Sequence, residues 1–249
     1  MTESDLCQCV LGKICRCYID IDIKIRYYKH KLETTNQGGN MSREIFEIVK
    51  GMDMKDIATQ LALQCAPLIT GLKISNMLIV AKEDERSVRM ILRRTGISCY
   101  RLLQNDKKIT FLLFHRKQLE KFLEIKEVSE VFYKEGYTEI HLGRILRVFQ
   151  IRYQAYMEGA KVFPHEMGLL LGYPVEDVIG FMLYGGKNSL YSGYWKVYED
   201  VAKKLALFKK FEMAKELLIQ LVSKGVSMEE IIDYYKERSF YECCDCRRA

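Results

Sequence analysis

Along most of the chain the apolar positions recur at helical spacing, and strand-like patterns interrupt them at three places. Ile57, Ala58 and Leu61 follow Asp53, which predicts a helix over about 54–64 with Asp53 as its N-cap. Cys65 closes that helix, and Pro67 opens a turn ending near Gly71. Met77 to Val80 is a short apolar run of strand type. Glu83-Asp84-Glu85 then opens a helix that Arg93-Arg94 closes, with Gly96 just beyond. Acid first and base last is the order that the helix dipole favours. Ser98–Leu103 and Lys108–Phe114 read as two strands around the polar turn 104–107. The second is apolar at almost every position, which predicts cover on both faces.

Helices are expected next at about 116–124, 127–135 and 139–158. The last carries Leu142, Ile145, Leu146, Phe149, Tyr153 and Tyr156 as its inner stripe, and Arg144, Arg147 and Arg152 read as its solvated face. Residues 163–181, FPHEMGLLLGYPVEDVIGF, say one phrase twice: aromatic, proline, one residue, glutamate. Proline is favoured at the first helical position, where its missing N–H would have no partner. The repeat therefore predicts two short helices beginning at Pro164 and Pro174 and separated at Gly172, with Glu166 and Glu176 at their third positions. A third strand is expected over 192–198, with Trp195 and Val197 on one face and Tyr194, Lys196 and Tyr198 on the other. Helices over about 200–223 and from Ser227 close the pattern, the latter with a Ser227–Glu230 capping box. The fold class is α+β: one helix-rich domain over 41–223, with a small antiparallel sheet of the 98–114 hairpin and the 192–198 strand. Residues 224–249 form a C-terminal helix and a cysteine-rich tail.

Composition narrows the setting. No apolar run among the 249 residues reaches the ~20 that a membrane span needs, and the cytoplasm is expected. A net charge of +6 is too diffuse for a nucleic-acid footprint. Of nine cysteines, Cys7, Cys9, Cys15, Cys17, Cys243, Cys244 and Cys246 sit near the ends, which is no disulfide framework. The first four are spaced more tightly than structural zinc ligands and have no completing His, so no metal site is assigned. Residues 1–40 read as a disordered leader; near its end Gly38-Gly39, one residue before Met41, read as a translated ribosome-binding site, with Met41 as the expected start.

Cys65-Ala66-Pro67 followed by Gly71-Leu72-Lys73, then the doubled phrase, then SGYWKVY at 192–198, closely resemble the bacterial domain-of-unknown-function family 3793, common in anaerobic Firmicutes. The resemblance covers about residues 41–211. It implies a shared fold and a bacterial cytoplasmic setting, and carries no activity. Members often have a cysteine just before Gly-Tyr-Trp; here that position is Ser192, which weakens a metal or redox role.

Candidate chemistry is sparse. His165, near a positive helix start, is expected neutral and could act as base or hydrogen-bonding group, or simply bond local backbone. Cys65 stands at one helix end and near the start of the next turn, two fields of opposite effect on its thiol. Cys65 as nucleophile, His165 as base and Glu166 or Asp177 as orienter would make a thiol site. Glu166, Glu176 and Asp177 are otherwise explained by helix starts. Gly185-Gly186-Lys187-Asn188-Ser189 is explained equally by a turn or a phosphate cradle, and Tyr194-Trp195-Lys196 by core packing or by stacking a flat ligand. The leading expectation is a binding or accessory protein whose partner is an unknown small molecule or protein. Its cleft lies near Cys65, His165 and Trp195, with Pro67, Lys73, Asn76, Tyr194, Trp195 and Lys196 touching the ligand. The alternative is the thiol enzyme. Nucleic acid is disfavoured as a partner, and the sequence leaves any cofactor unknown.

Overall fold

The computed structural model describes residues 43–245, with side chains through 236. The expected leader with its four cysteines lies outside the described residues, as do the side chains of Cys243, Cys244 and Cys246. The chain divides into two compact units: residues 116–208 form one, and residues 43–115 with 209 onward form the other.

In the second unit the elements are α1 (Arg43–Gly51), α2 (Ile57–Ile69), β1 (Ser75–Ala81), α3 (Glu85–Leu92), β2 (Ile97–Gln104) and β3 (Lys108–His115). To these are added the later part of α9 (Val201–Ser223) and α10 (Met228–Asp245). The sheet is antiparallel in the order β1-β3-β2, with Leu78 opposite Phe111 and Cys99 opposite Leu113. The central place of β3 explains why its sequence does not alternate: Ile109 through Phe114 are all buried, so neither face is left to polar residues. Leu78, Val80, Ile109, Phe111 and Leu113 turn to a core shared with Leu61 and Leu68 of α2, Val88 of α3, Leu218 of α9 and Ile231 of α10.

Two expectations change here. The third strand of this sheet is β1, and the segment at 192–198 is not part of it. Helix α2 also starts later and ends later than its pattern suggested. Asp56 is the N-cap and accepts from the Thr59 amide at 2.8 Å, while Asp53 closes the preceding turn through the Lys55 amide. Pro67 lies inside the last turn of α2, so Cys65 is an interior helical residue and does not close the helix. A proline this late sacrifices one backbone bond near the helix end, and apolar burial on either side, at Ala66 and Leu68, keeps the helix continuous.

The other unit holds α4 (Arg116–Leu123), α5 (Lys126–Lys134), α6 (Leu142–Met157), α7 (Met167–Leu170) and α8 (Val175–Leu183). A two-stranded ribbon of β4 (Tyr191–Ser192) and β5 (Lys196–Val197) follows, and then the start of α9. The stripe of α6 is buried at Leu142, Ile145, Leu146, Phe149 and Tyr153, as its spacing predicts. The doubled phrase gives two helices separated at Gly172, whose φ is 68°, but both begin later than expected. Pro174 is the N-cap of α8, with ψ 135°, so Glu176 and Asp177 occupy the second and third positions. Pro164 and His165 lie in a turn, and Glu166 is the N-cap residue of α7. Neither helix receives a side-chain cap bond: Glu166 is engaged elsewhere, and the Pro174 ring has no acceptor.

Close packing fixes two glycines of this unit. A Cβ at Gly180 would lie 2.6 Å from Cγ of Tyr198, and one at Gly193 would lie 2.5 Å from Phe208. Gly180→Ala is expected to cost about 1–3 kcal/mol through overpacking, to be read from denaturant unfolding.

Candidate functional site

Three polar clusters contain Cys65, Pro67, Lys73, Asn76, His165, Glu166, Glu176, Asp177, Trp195 and Lys196, the expected catalytic and ligand-binding residues apart from Tyr194. The first joins α2 to β1. Cys65 is 0 % exposed, and its Sγ lies 3.7 Å from the carbonyl oxygen of Met77 and 3.7 Å from the Asn76 amide nitrogen. Asn76 Nδ2 also donates to the carbonyls of Gln64 at 2.6 Å and Met77 at 3.0 Å, and its Oδ1 accepts from Lys73 Nζ at 3.1 Å. Lys73 is tied back through its own amide to the Pro67 carbonyl at 2.9 Å. Burial lowers the Lys73 ammonium to about 8, with the nearby Cys65 thiol pulling the other way. Gln64 completes the cluster by bonding both the amide and the carbonyl of Ile79. Four expected residues, Cys65, Pro67, Lys73 and Asn76, are thus brought together, in bonds that hold α2 against β1. Cys99, on β2, is half-buried, and burial pushes its thiol up to about 11.

The second cluster is centred on Asp177. Its Oδ2 accepts from Trp195 Nε1 at 2.7 Å, and its Oδ1 accepts from the Tyr198 amide at 2.8 Å. Lys204 of α9 pairs with Glu176 at 2.5 Å and lies 3.7 Å from Asp177. Burial works against the Glu176 charge, but the Lys204 hydrogen bond and charge hold that carboxyl below its usual range. The Trp195 ring stacks on Tyr173 at 4.8 Å and meets Phe208 edge-on at 4.6 Å, while Tyr194 lies 5.4 Å from Phe208. Lys196 donates to the Gly186 carbonyl. Trp195, Tyr194 and Lys196 of SGYWKVY thus pack the ribbon against α8, the loop after it and Phe208 of α9. Gly185, Gly186 and Asn188 all have positive φ and turn the chain out of α8.

The third cluster was largely missed from sequence. Glu166 is 0 % exposed; its Oε1 accepts from Tyr137 Oη at 2.8 Å and from Arg152 Nη1 at 3.1 Å. Arg152 also donates to the Glu135 carbonyl at 2.6 Å and lies over the Tyr137 ring at 4.8 Å. Glu166 Oε2 and the adjacent His165 Nδ1 are both buried with no protein partner. The His165 ring lies between Phe163 and Phe181, at 5.7 and 5.5 Å. Burial lowers its imidazole below the ordinary value, against the opposing pull of Glu166. Burial, and then Glu166, raise the Glu135 carboxyl, with Arg152 opposing. They push the Tyr137 phenol upward in the same order.

Arg152 corrects the expectation of a wholly solvated arginine face on α6: its side chain is 35 % exposed and pairs with a buried carboxylate. The signal was its spacing, seven residues after Ile145 and hence on the same stripe. Arg144, by contrast, is exposed and pairs with Glu139.

Cys65 belongs to one compact unit, and His165, Glu166 and Trp195 belong to the other. An open depression of about 520 Å³ on α3, lined by Glu83, Glu85, Arg86, Arg89, Met90 and Arg93, involves none of the expected residues. Among the described residues, no group of three or more His, Cys, Asp or Glu is placed to hold a metal ion, and no helix is long and apolar enough to cross a membrane.

A sequence profile of the family described as "Protein of unknown function (DUF3793)" matches residues 61–232. The chain belongs to the DUF3793 family. No curated protein and no solved structure matches it. The DUF3793 match runs past Phe211, the expected end of the resemblance, and takes in the α9 and α10 residues that complete the core of the second unit. All three polar clusters lie inside the matched range.

In this DUF3793 chain Asp177→Ala leaves the Trp195 indole N–H, the Tyr198 amide and the Lys204 ammonium short of a partner. A loss of about 3–5 kcal/mol is expected, the cost of breaking a buried charged network. Trp195 is the single tryptophan, so its fluorescence in a denaturant titration reports the loss directly. His165 gives a pH dependence. Its folded-state pKa is depressed, so below about pH 6.5 the unfolded chain binds more protons than the folded one. Stability therefore falls as pH drops from there until both states are protonated. His115, lowered by burial despite its bond to the Leu68 carbonyl, acts in the same direction. His165→Phe is expected to shrink the acid loss without abolishing it, as measured by unfolding at a series of pH values.

Proposed function

We propose that the protein is a binding or accessory protein of the bacterial cytoplasm that holds a small ligand or a partner through the His165–Glu166 segment. One observation carries this reading: a polar atom of each of two consecutive residues, His165 Nδ1 and Glu166 Oε2, is buried inside the matched family region with no protein group to satisfy it. A buried carboxylate oxygen without a donor costs about 1–3 kcal/mol or more, and such a cost is characteristic of sites completed by another molecule.

A thiol enzyme needs a sulfur that substrate can reach. Cys65 is fully buried in the interior of α2, with its sulfur against the Met77 carbonyl and the Asn76 amide, and this supports binding over nucleophilic catalysis. Alkylation of the full chain across pH, with peptide mapping to separate the cysteines, tests the choice. Cys65 is expected to react only as fast as unfolding exposes it, and at the same rate in His165→Ala once stability is matched. Native-state alkylation at the rate of an exposed thiol, slowed in His165→Ala, would favour the enzyme and overturn the proposal.

A further inference from the structure

The cluster around Glu166 has the chemistry of a receptor for positive charge. Glu166 and Glu135 bring two carboxylates within electrostatic reach of one guanidinium, that of Arg152. Tyr137 donates its hydroxyl to Glu166 and supplies no charge. Arg152 and Tyr137 both approach Oε1, so the second oxygen is left to something else. His165 Nδ1 is the other open position, in a ring flanked by Phe163 and Phe181. Two buried polar atoms without partners, beside two carboxylates and one guanidinium and next to aromatic rings, suit a compact cation that donates hydrogen bonds.

We propose that Glu166 Oε2 and His165 Nδ1 form a binding site for a small ammonium group, either free ammonium or the primary amine of a larger ligand. The proposal rests on the binding reading above and names its ligand class. One N–H of the ammonium group meets the carboxylate oxygen, where the bond is charge-assisted. A second meets Nδ1, so the bound imidazole carries its proton on Nε2. The Phe163 and Phe181 rings complete the surround, since aromatic faces attract cations. A hard divalent metal fits less well, because such ions gather many oxygen ligands and Arg152 already occupies the other oxygen of the only fully buried carboxylate here. His165 is half-buried and the Arg152 side chain is 35 % exposed, so the cluster reaches the surface through these two residues.

The test uses the full chain. Ammonium chloride and methylammonium chloride are titrated against sodium chloride and tetramethylammonium chloride at equal ionic strength. The readouts are thermal unfolding and the ring ¹⁵N resonances of His165. Both N–H donors are expected to raise the midpoint saturably and to shift the Nδ1 resonance, whereas sodium and tetramethylammonium do neither. Tighter binding of methylammonium than of ammonium would identify an amine ligand, and the reverse order free ammonium. Glu166→Gln is expected to weaken binding by at least about tenfold, the loss of one charge-assisted hydrogen bond. That variant also disturbs the Arg152 pair, so His165→Phe serves as the second: it leaves the pair intact, fits among Phe163 and Phe181, and should weaken binding as well. The proposal is overturned by an unresponsive wild type, by an equal response to tetramethylammonium, or by undiminished affinity in His165→Phe. Any of these leaves the binding reading standing, because the Cys65 alkylation experiment judges that reading separately.

Discussion

The carboxylate of Asp177 is the interaction on which the unit of residues 116–208 most depends. It sits at the third position of α8, where an acidic side chain ordinarily serves the helix end. Here it reaches across to the ribbon, taking the indole N–H of Trp195 with one oxygen and the Tyr198 amide with the other. Lys204 brings the neutralising charge from the start of α9. One side chain thus sets the separation of three elements. The close contacts of Gly180 with Tyr198 and of Gly193 with Phe208 are consequences of that separation. A charge this deeply buried is tolerated because each oxygen has a donor and a cation stands beside it.

Glu166 faces the same physical problem eleven residues earlier and solves it only in part. One oxygen has two donors and the other has none. The two carboxylates are similarly buried, in the two halves of a repeated phrase, and differ in how far the protein itself satisfies them. A fully satisfied carboxylate needs no further explanation than folding, whereas a half-satisfied one does.

Much of the fold was legible because it depends on local rules. The hairpin at β2–β3, the stripe of α6 and the Ser227–Glu230 capping box follow from period and punctuation, and the structure has all three. The departures occur where tertiary contacts override a local signal. Pro67 suggested a break, but burial around it carries α2 through to Ile69. Pro164 and Pro174 marked the right neighbourhoods, yet their glutamate and aspartate partners were drawn away by Arg152, Tyr137 and Trp195, groups 14 to 29 residues distant. The candidate residues could be named one by one from the sequence. Their grouping was not legible, since the pairing of Glu166 with Arg152 and Tyr137 depends on how α6 lies against the turn before α7, and no periodicity encodes that. Lys73 and Asn76 did emerge beside Cys65, because only a tight turn separates α2 from β1.

The interruption of one unit by the other in sequence has a consequence for synthesis. Residues 116–208 are contiguous and can pack as soon as they leave the ribosome. The sheet β1-β3-β2 is translated before them, but the core on one of its faces includes Leu218 and Ile219 of α9 and Ile231 and Ile232 of α10. Until those residues emerge, more than a hundred positions after β3 is made, that apolar face is covered only in part, by α1, α2 and α3. Such a delay lengthens the time in which strand edges and core side chains are open to wrong partners. The nascent chain is therefore most exposed to misassembly while its middle is already folded, and the last helices act as the closure that ends this interval.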